Sequence, residues 1–216
     1  MPHPSPPPSD TLDPSERRRA RAATRNEAGR FEHHSRVFEA DGWAEPQEET
    51  TCATQLRAEP TARLITYNRS PDLPFDRSIN PYRGCEHGCI YCFARPTHAY
   101  LGLSPGLDFE TKLTAKPDAA AALERDLRRK GYTPATIALG TSTDPYQPVE
   151  KEARITRACL KVLARFNHPV GIVTKGTLIE RDIDILAPMA AKGLVRVGLS
   201  VTTLDAELSR KMEPSA

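Results

Sequence analysis

Cys85-Glu86-His87-Gly88-Cys89-Ile90-Tyr91-Cys92 places three cysteines in a C-x3-C-x2-C run, with a tyrosine just before the last of them. Thiolate sulfur is a soft donor that cluster iron takes readily. Three thiolates on one short loop can hold three irons of a four-iron cluster. The fourth iron then has no protein ligand and is open to a substrate. An electron-transfer ferredoxin adds a fourth cysteine, commonly followed by proline, whereas Phe93 follows Cys92 here. Two plainer readings stand beside the cluster. Zinc takes Cys3His sites, with His87 or His98 as the nitrogen donor, although zinc ligands more often arrive as two separated pairs. The third reading is a set of buried thiols with no metal.

Such a loop needs a scaffold, and the sequence supplies one of alternating strands and helices. Ser78-Ile79-Asn80-Pro81-Tyr82 reads as a short strand that delivers the chain to Gly84, where glycine lets backbone pass close to a cluster. Arg63–Tyr67 has strand character ahead of it, and a long connection runs from Cys92 to Leu107. Pro117-Asp118 opens a helix that Gly131 ends, with Ala120, Leu123 and Leu127 on one face. Further helices are expected from Glu152 to Phe166, from Leu178 to Ala191 with a kink at Pro188, and from Leu204-Asp205 onward. Strands are expected at Thr136–Gly140, Val170–Thr174 and Leu194–Thr202. Cys159 falls on the apolar face of its helix and reads as core.

This alternation predicts an α/β fold with a parallel sheet. In such folds functional groups lie on loops leaving the C-terminal ends of strands. The rule picks out the cysteine loop, then Thr141, Ser142 and Asp144, then Thr174 and Lys175, then Ser200 and Thr202. Ser142 can hydrogen-bond an amino or carboxylate group, and Lys175 offers a point charge for a carboxylate. The bland alternatives are a solvated loop lysine at 175 and a turn-forming Asp144 before Pro145.

Composition bounds the rest. The 216 residues allow one domain of ordinary size plus a tail, with 38% hydrophobic content and a net charge of +2. No apolar run approaches the ~18 residues of a membrane span, and the first residues lack the regions of a signal peptide. Five cysteines, three of them in one loop, do not form a disulfide framework. A reducing, cytoplasmic compartment is expected. Six prolines among the first fourteen residues predict a disordered start. Six arginines between Arg17 and Arg30 face one acid, Glu27, which reads as a solvated leader or as an arm for phosphates. Phe31, Phe38 and Trp43 suggest anchors of a segment that wraps over its neighbour. No role is assigned to Cys52. The expected division is a leader over 1–61 and an ordered core over 62–216.

The cysteine spacing, with Tyr91 before the last thiolate, resembles the radical S-adenosylmethionine (SAM) superfamily. Asn80–Cys85, Cys92–Arg95, Gly140–Pro148 and Thr174-Lys175 are similar to a bacterial branch related to spore photoproduct lyase, often labelled a DNA repair photolyase group. The resemblance covers roughly residues 62–214, and Gly29–Glu32 looks like the same branch. It implies a [4Fe-4S] cluster on Cys85, Cys89 and Cys92, with the amino and carboxylate groups of SAM on the open iron. It implies Tyr91 beside the adenine and Ser142 and Lys175 at the SAM carboxylate, and Ser200 is counted with these as cofactor-binding. The fold implied is a partial (β/α) barrel of six units, of which four strands are counted here, so a C-terminally truncated chain with an unpaired sheet edge is expected. Implied too are a ferredoxin or flavodoxin as reductant, lyase-like chemistry and a possible nucleic-acid substrate. The lyase carries a hydrogen-donating cysteine in its second-strand loop, and Gly140–Pro148 has none. No residue is assigned to the chemistry on the substrate. The alternatives are a non-catalytic zinc module on Cys85, Cys89, Cys92 and His98, or a nucleic-acid-binding protein working through Arg17–Arg30.

Overall fold

A computed structural model describes residues 21–23, 26–31 and 53–216. The proline-rich start, Phe38, Trp43 and Cys52 lie outside the described residues. In β7 (Val170–Thr174) alternation does the sorting: Val170, Ile172 and Thr174 are buried, and Val173 is exposed. β7 sits between β6 (Ile137–Leu139) and β8 (Val195–Leu199), parallel to both. β3 (Arg77–Ile79) pairs parallel with β6, and β2 (Thr66–Tyr67) adds an antiparallel edge. The result is a five-stranded sheet in the order β2-β3-β6-β7-β8. The described residues form a mixed α/β fold, as expected, and no closed barrel.

A second sheet escaped the sequence reading. β5 (Lys112–Ala115) pairs parallel with β1 (Gln55–Ala58) and antiparallel with β4 (Tyr82–Arg83). β1 therefore lies N-terminal of the boundary expected near Ala62. The Cys92–Leu107 connection contains a 3-10 helix, Arg95–Leu101, and α1 (Leu107–Thr111) then runs straight into β5.

Helices cover one face of the larger sheet. Ala122 and Leu123 of α2 (Ala119–Leu127) and Leu160 and Leu163 of α4 (Ile155–Arg165) pack with Ile79, Ile137, Leu139 and Ile172. Each such leucine or isoleucine side chain contributes about 1.5–3 kcal/mol by leaving water. Cys159 has no exposed surface and belongs to this core. Val173 points to the opposite face and is exposed, and Val197 and Leu199, in register with Ile172 and Thr174, remain exposed on the edge strand β8. Among the described residues no helix is long and apolar enough to cross a membrane.

Carboxylates decide several element ends that periodicity misplaced. The helix expected from Glu152 to Phe166 is broken: α3 (Glu150–Ala153) ends at Arg154, which takes a left-handed φ of 52°. The buried Glu150 carboxylate then accepts the first-turn amides of α4, Thr156 N at 3.0 Å and Arg157 N at 3.2 Å, satisfying donors that have no intrahelical partner. Tyr82 and Arg181 also donate to it. Asp126 accepts Leu64 N and Ile65 N at 2.8 and 3.1 Å. Those amides are lost to any ladder, so the strand expected over Arg63–Tyr67 shrinks to β2. The helix expected from Leu178 divides into a 3-10 turn, Thr177–Asp182, and α5 (Ile183–Ala191), with Pro188 inside it. α2 ends at Leu127, and Gly131 sits beyond it at φ 83°. The last helix, α6 (Ala206–Met212), is capped by Asp205, which accepts Glu207 N and Leu208 N.

Candidate metal and cofactor site

β4 delivers the chain to Gly84, whose φ of 76° opens the cysteine loop. A side chain there would meet Leu113 at 2.6 Å, the Phe109 carbonyl at 2.8 Å and the His98 ring at 2.9 Å. Glycine is required by both conformation and space. Cys85 N donates to Phe109 O, Glu86 N to Gln147 Oε1, and Gln147 Nε2 back to Gly84 O. The loop is therefore pinned between α1 and the segment that follows β6.

Cys85, Cys89 and Cys92 line one cavity of about 140 Å³, together with Ser142, Lys175 and Ser200. Larger clefts of about 430 and 600 Å³ lie along β1 and β5 and beside Asn68–Asp76, and no thiol lines either. Chemistry rather than size selects the smaller one. All three thiols are free of disulfides. Burial pushes the Cys85 thiol up beyond its usual range and the Cys89 thiol up to about 11, because a low-dielectric wall disfavours thiolate. Metal binding would displace those protons.

Among the described residues no three His, Cys, Asp or Glu side chains close on a single metal ion. A Cys3His zinc module needs four donors converging on one centre. His98 is turned away as well: its Nε2 lies 3.0 Å from Lys112 O and its ring meets Phe109 edge-on. A cube makes a different demand. It takes one thiolate per iron, so its sulfurs stand apart around the cluster. Three soft thiols lining one cavity supply the donors for it.

The loops from β6 and β7 meet at Asp144. Its carboxylate accepts Tyr146 N at 2.8 Å, Thr174 Oγ1 at 2.6 Å and Lys175 N at 2.8 Å. More than a turn former, Asp144 fixes where Lys175 leaves the sheet. It also lies 3.5 Å from the buried Nδ1 atom of His87, an atom that makes no hydrogen bond of its own. Lys175 Nζ reaches Ser200 Oγ at 3.0 Å, Thr202 Oγ1 at 3.2 Å and Glu213 Oε1 at 2.7 Å, and stands 5.5 Å above the Tyr91 ring. Tyr91 OH bonds Thr202 and Glu213. Ser142, exposed at the cavity rim, is held by its amide on Asn80 Oδ1. Glu213 escaped sequence reasoning because no periodicity marks it. The return of the chain after α6 brings it in, with Ile90 N donating to Met212 O.

Geometry thus defines an α/β protein with a thiol-lined cavity at the ends of parallel strands. The Radical SAM superfamily model matches residues 79–216, and the chain belongs to that superfamily. Uncharacterized proteins of Mycobacterium bovis and Mycobacterium tuberculosis are each 42% identical over 165 residues, which is 76% of this chain and 46% of theirs. An uncharacterized protein of Methanocaldococcus jannaschii is 26% identical over 136 residues, 63% of this chain and 48% of its own. The chain therefore spans about half the length of these relatives. No solved structure matches.

Proposed function

We propose that Cys85, Cys89 and Cys92 hold a [4Fe-4S] cluster and that the cavity binds SAM at its open iron. When bound and reduced by an electron from a ferredoxin or flavodoxin, the cluster supplies cleavage of SAM to methionine and a 5′-deoxyadenosyl radical, which takes hydrogen from a substrate. The chain's own residues do the placing. Lys175 and Ser142 take the SAM carboxylate, Tyr91 lies beside the adenine, and Ser200 orients Lys175. The observation that carries this reading is one cavity shared by three thiols of a single loop and by Ser142, Lys175 and Ser200, which leave three parallel strands.

The finer reading is lyase- or repair-type chemistry on a nucleic acid by an enzyme of the spore photoproduct lyase-like branch. It is supported by the motif resemblance, with the hydrogen donor coming from outside Gly140–Pro148. The parallel order β3-β6-β7-β8 supports four units of a partial barrel, with an ordered core that takes in β1 and a leader that ends before it. A reducing, cytoplasmic setting suits the cluster. Anaerobic reconstitution tests the proposal. About four irons per chain are expected, with loss on Cys89→Ala. Iron content unchanged by that substitution removes the assignment.

A further inference from the structure

The arginine-rich leader does not hang free where it is described. Arg21 Nη1 donates to Glu110 O at 2.7 Å, and the Ala22 and Ala23 amides donate to the two oxygens of the Glu110 carboxylate, each at 3.0 Å. Asn26 and Asp108 exchange two hydrogen bonds, and Phe31 packs on Tyr100 with ring centroids 5.3 Å apart. Glu110 has no exposed side-chain surface. A carboxylate so buried is costly unless donors surround it. The leader supplies two of them, and Arg95 Nη2 supplies another at 2.5 Å.

Arg95 carries the connection onward. Its Nε and Nη2 both donate to the carbonyl of Cys89, at 3.1 Å each, which also accepts Cys92 N at 3.3 Å. That carbonyl is the hinge of the turn that sets Cys89 against Cys92. On the other side of the loop, Arg21 Nη2 reaches Thr54 at 2.7 Å, and Thr54 donates to Glu86, the residue after Cys85. Gly88 completes the fit, since a side chain there would lie 2.9 Å from Glu110 Oε2.

We infer that the leader, Glu110 and Arg95 form a positioning relay that holds the Cys89 turn in the geometry a cluster needs. This rests on the reading that the three cysteines bind a cluster, and it assigns the leader a role toward the metal rather than toward nucleic acid. The relay touches no reacting atom. Guanidinium suits it because its planar fork can hold a carboxylate and a carbonyl at once, which a lysine ammonium does less well.

The test uses the full chain, reconstituted anaerobically, with iron release to a chelator followed by absorbance. Ala22→Pro with Ala23→Pro removes two amide donors on the leader without altering the core. Circular dichroism checks that each variant remains folded. Release is expected to quicken about tenfold, the usual scale for outer partners of metal ligands. Arg95→Lys is expected to do the same, and the triple variant to release iron no faster than Arg95→Lys alone, because one relay has been cut twice. Unchanged release in the proline variant, or additive effects in the triple, overturns the relay. Absence of iron from the wild-type chain overturns instead the cluster reading on which it stands.

Discussion

The Lys175 ammonium and the Glu213 carboxylate are 2.7 Å apart, beside the Tyr91 ring and on the wall that carries Ser200. An anion therefore already sits on the lysine to which the proposal assigns the carboxylate of SAM. Binding must displace Glu213 or share the lysine with it. Displacement is the simpler exchange, one carboxylate for another. Glu213→Gln then leaves Lys175 without its competitor, and SAM affinity rises several-fold. Lys175→Ala lowers it at least tenfold, the scale expected when one side of a buried charge pair is lost. Equilibrium dialysis of the cluster-loaded protein measures both. A weaker affinity in Glu213→Gln would mean that Glu213 serves to hold the lysine in place.

Gly140 joins β6 to the loop carrying Ser142, at φ 94°, and a Cβ there would lie 2.0 Å from the Val173 carbonyl. Gly140→Ala must force β6 and β7 apart. The cost exceeds about 3 kcal/mol, the conformational strain alone being about 1–3. Gly131 shares the left-handed backbone, φ 83°, but nothing stands within 4 Å of its would-be Cβ. Gly131→Ala should cost about 1–2 kcal/mol. Thermal unfolding of the two variants checks the contrast, and equal losses would contradict it.

Asp182 anchors the start of α5 and is paired with Arg157 at 2.7 Å and Arg181 at 2.9 Å. Burial pushes its carboxyl up, but hydrogen bonds from the two guanidinium groups outweigh burial and hold it below the ordinary value. A depressed folded pKa means stability that is complete above the unfolded value of about 3.9 and lost as pH falls below it. The melting temperature should decline below about pH 4, and Asp182→Asn should flatten that decline. At neutral pH the same substitution should cost about 3 kcal/mol, since two guanidinium groups lose a buried partner. An unaltered acid limb would refute the assignment.

Much of the site was legible because its chemistry is local. The cysteine run, Gly84, and the strand ends at Ser142, Lys175 and Ser200 all follow from spacing and from the rule that loops after parallel strands carry function. β7 was legible from a short apolar run, and α4 from its stripe through Ile155, Cys159, Val162 and Leu163. What escaped depends on contacts remote in sequence. β5 pairs with β1 more than fifty positions earlier, and its four residues show no alternation because Leu113, Thr114 and Ala115 are all buried. Glu150 breaks a helical stripe by capping α4 from outside it. Glu110, Arg95 and Glu213 carry charge, and charge alone reads as solvated surface. Only the fold shows that Glu110 is sealed beneath the leader and that Glu213 returns to Lys175.

The most direct measurement of the central claim is the electron paramagnetic resonance spectrum of the anaerobically reduced protein, recorded before and after adding SAM. A cluster held by only Cys85, Cys89 and Cys92 keeps one iron open, so SAM should shift its g-values, and Lys175→Ala should raise the concentration needed. A cluster signal indifferent to saturating SAM, or no cluster signal at all, would contradict the account.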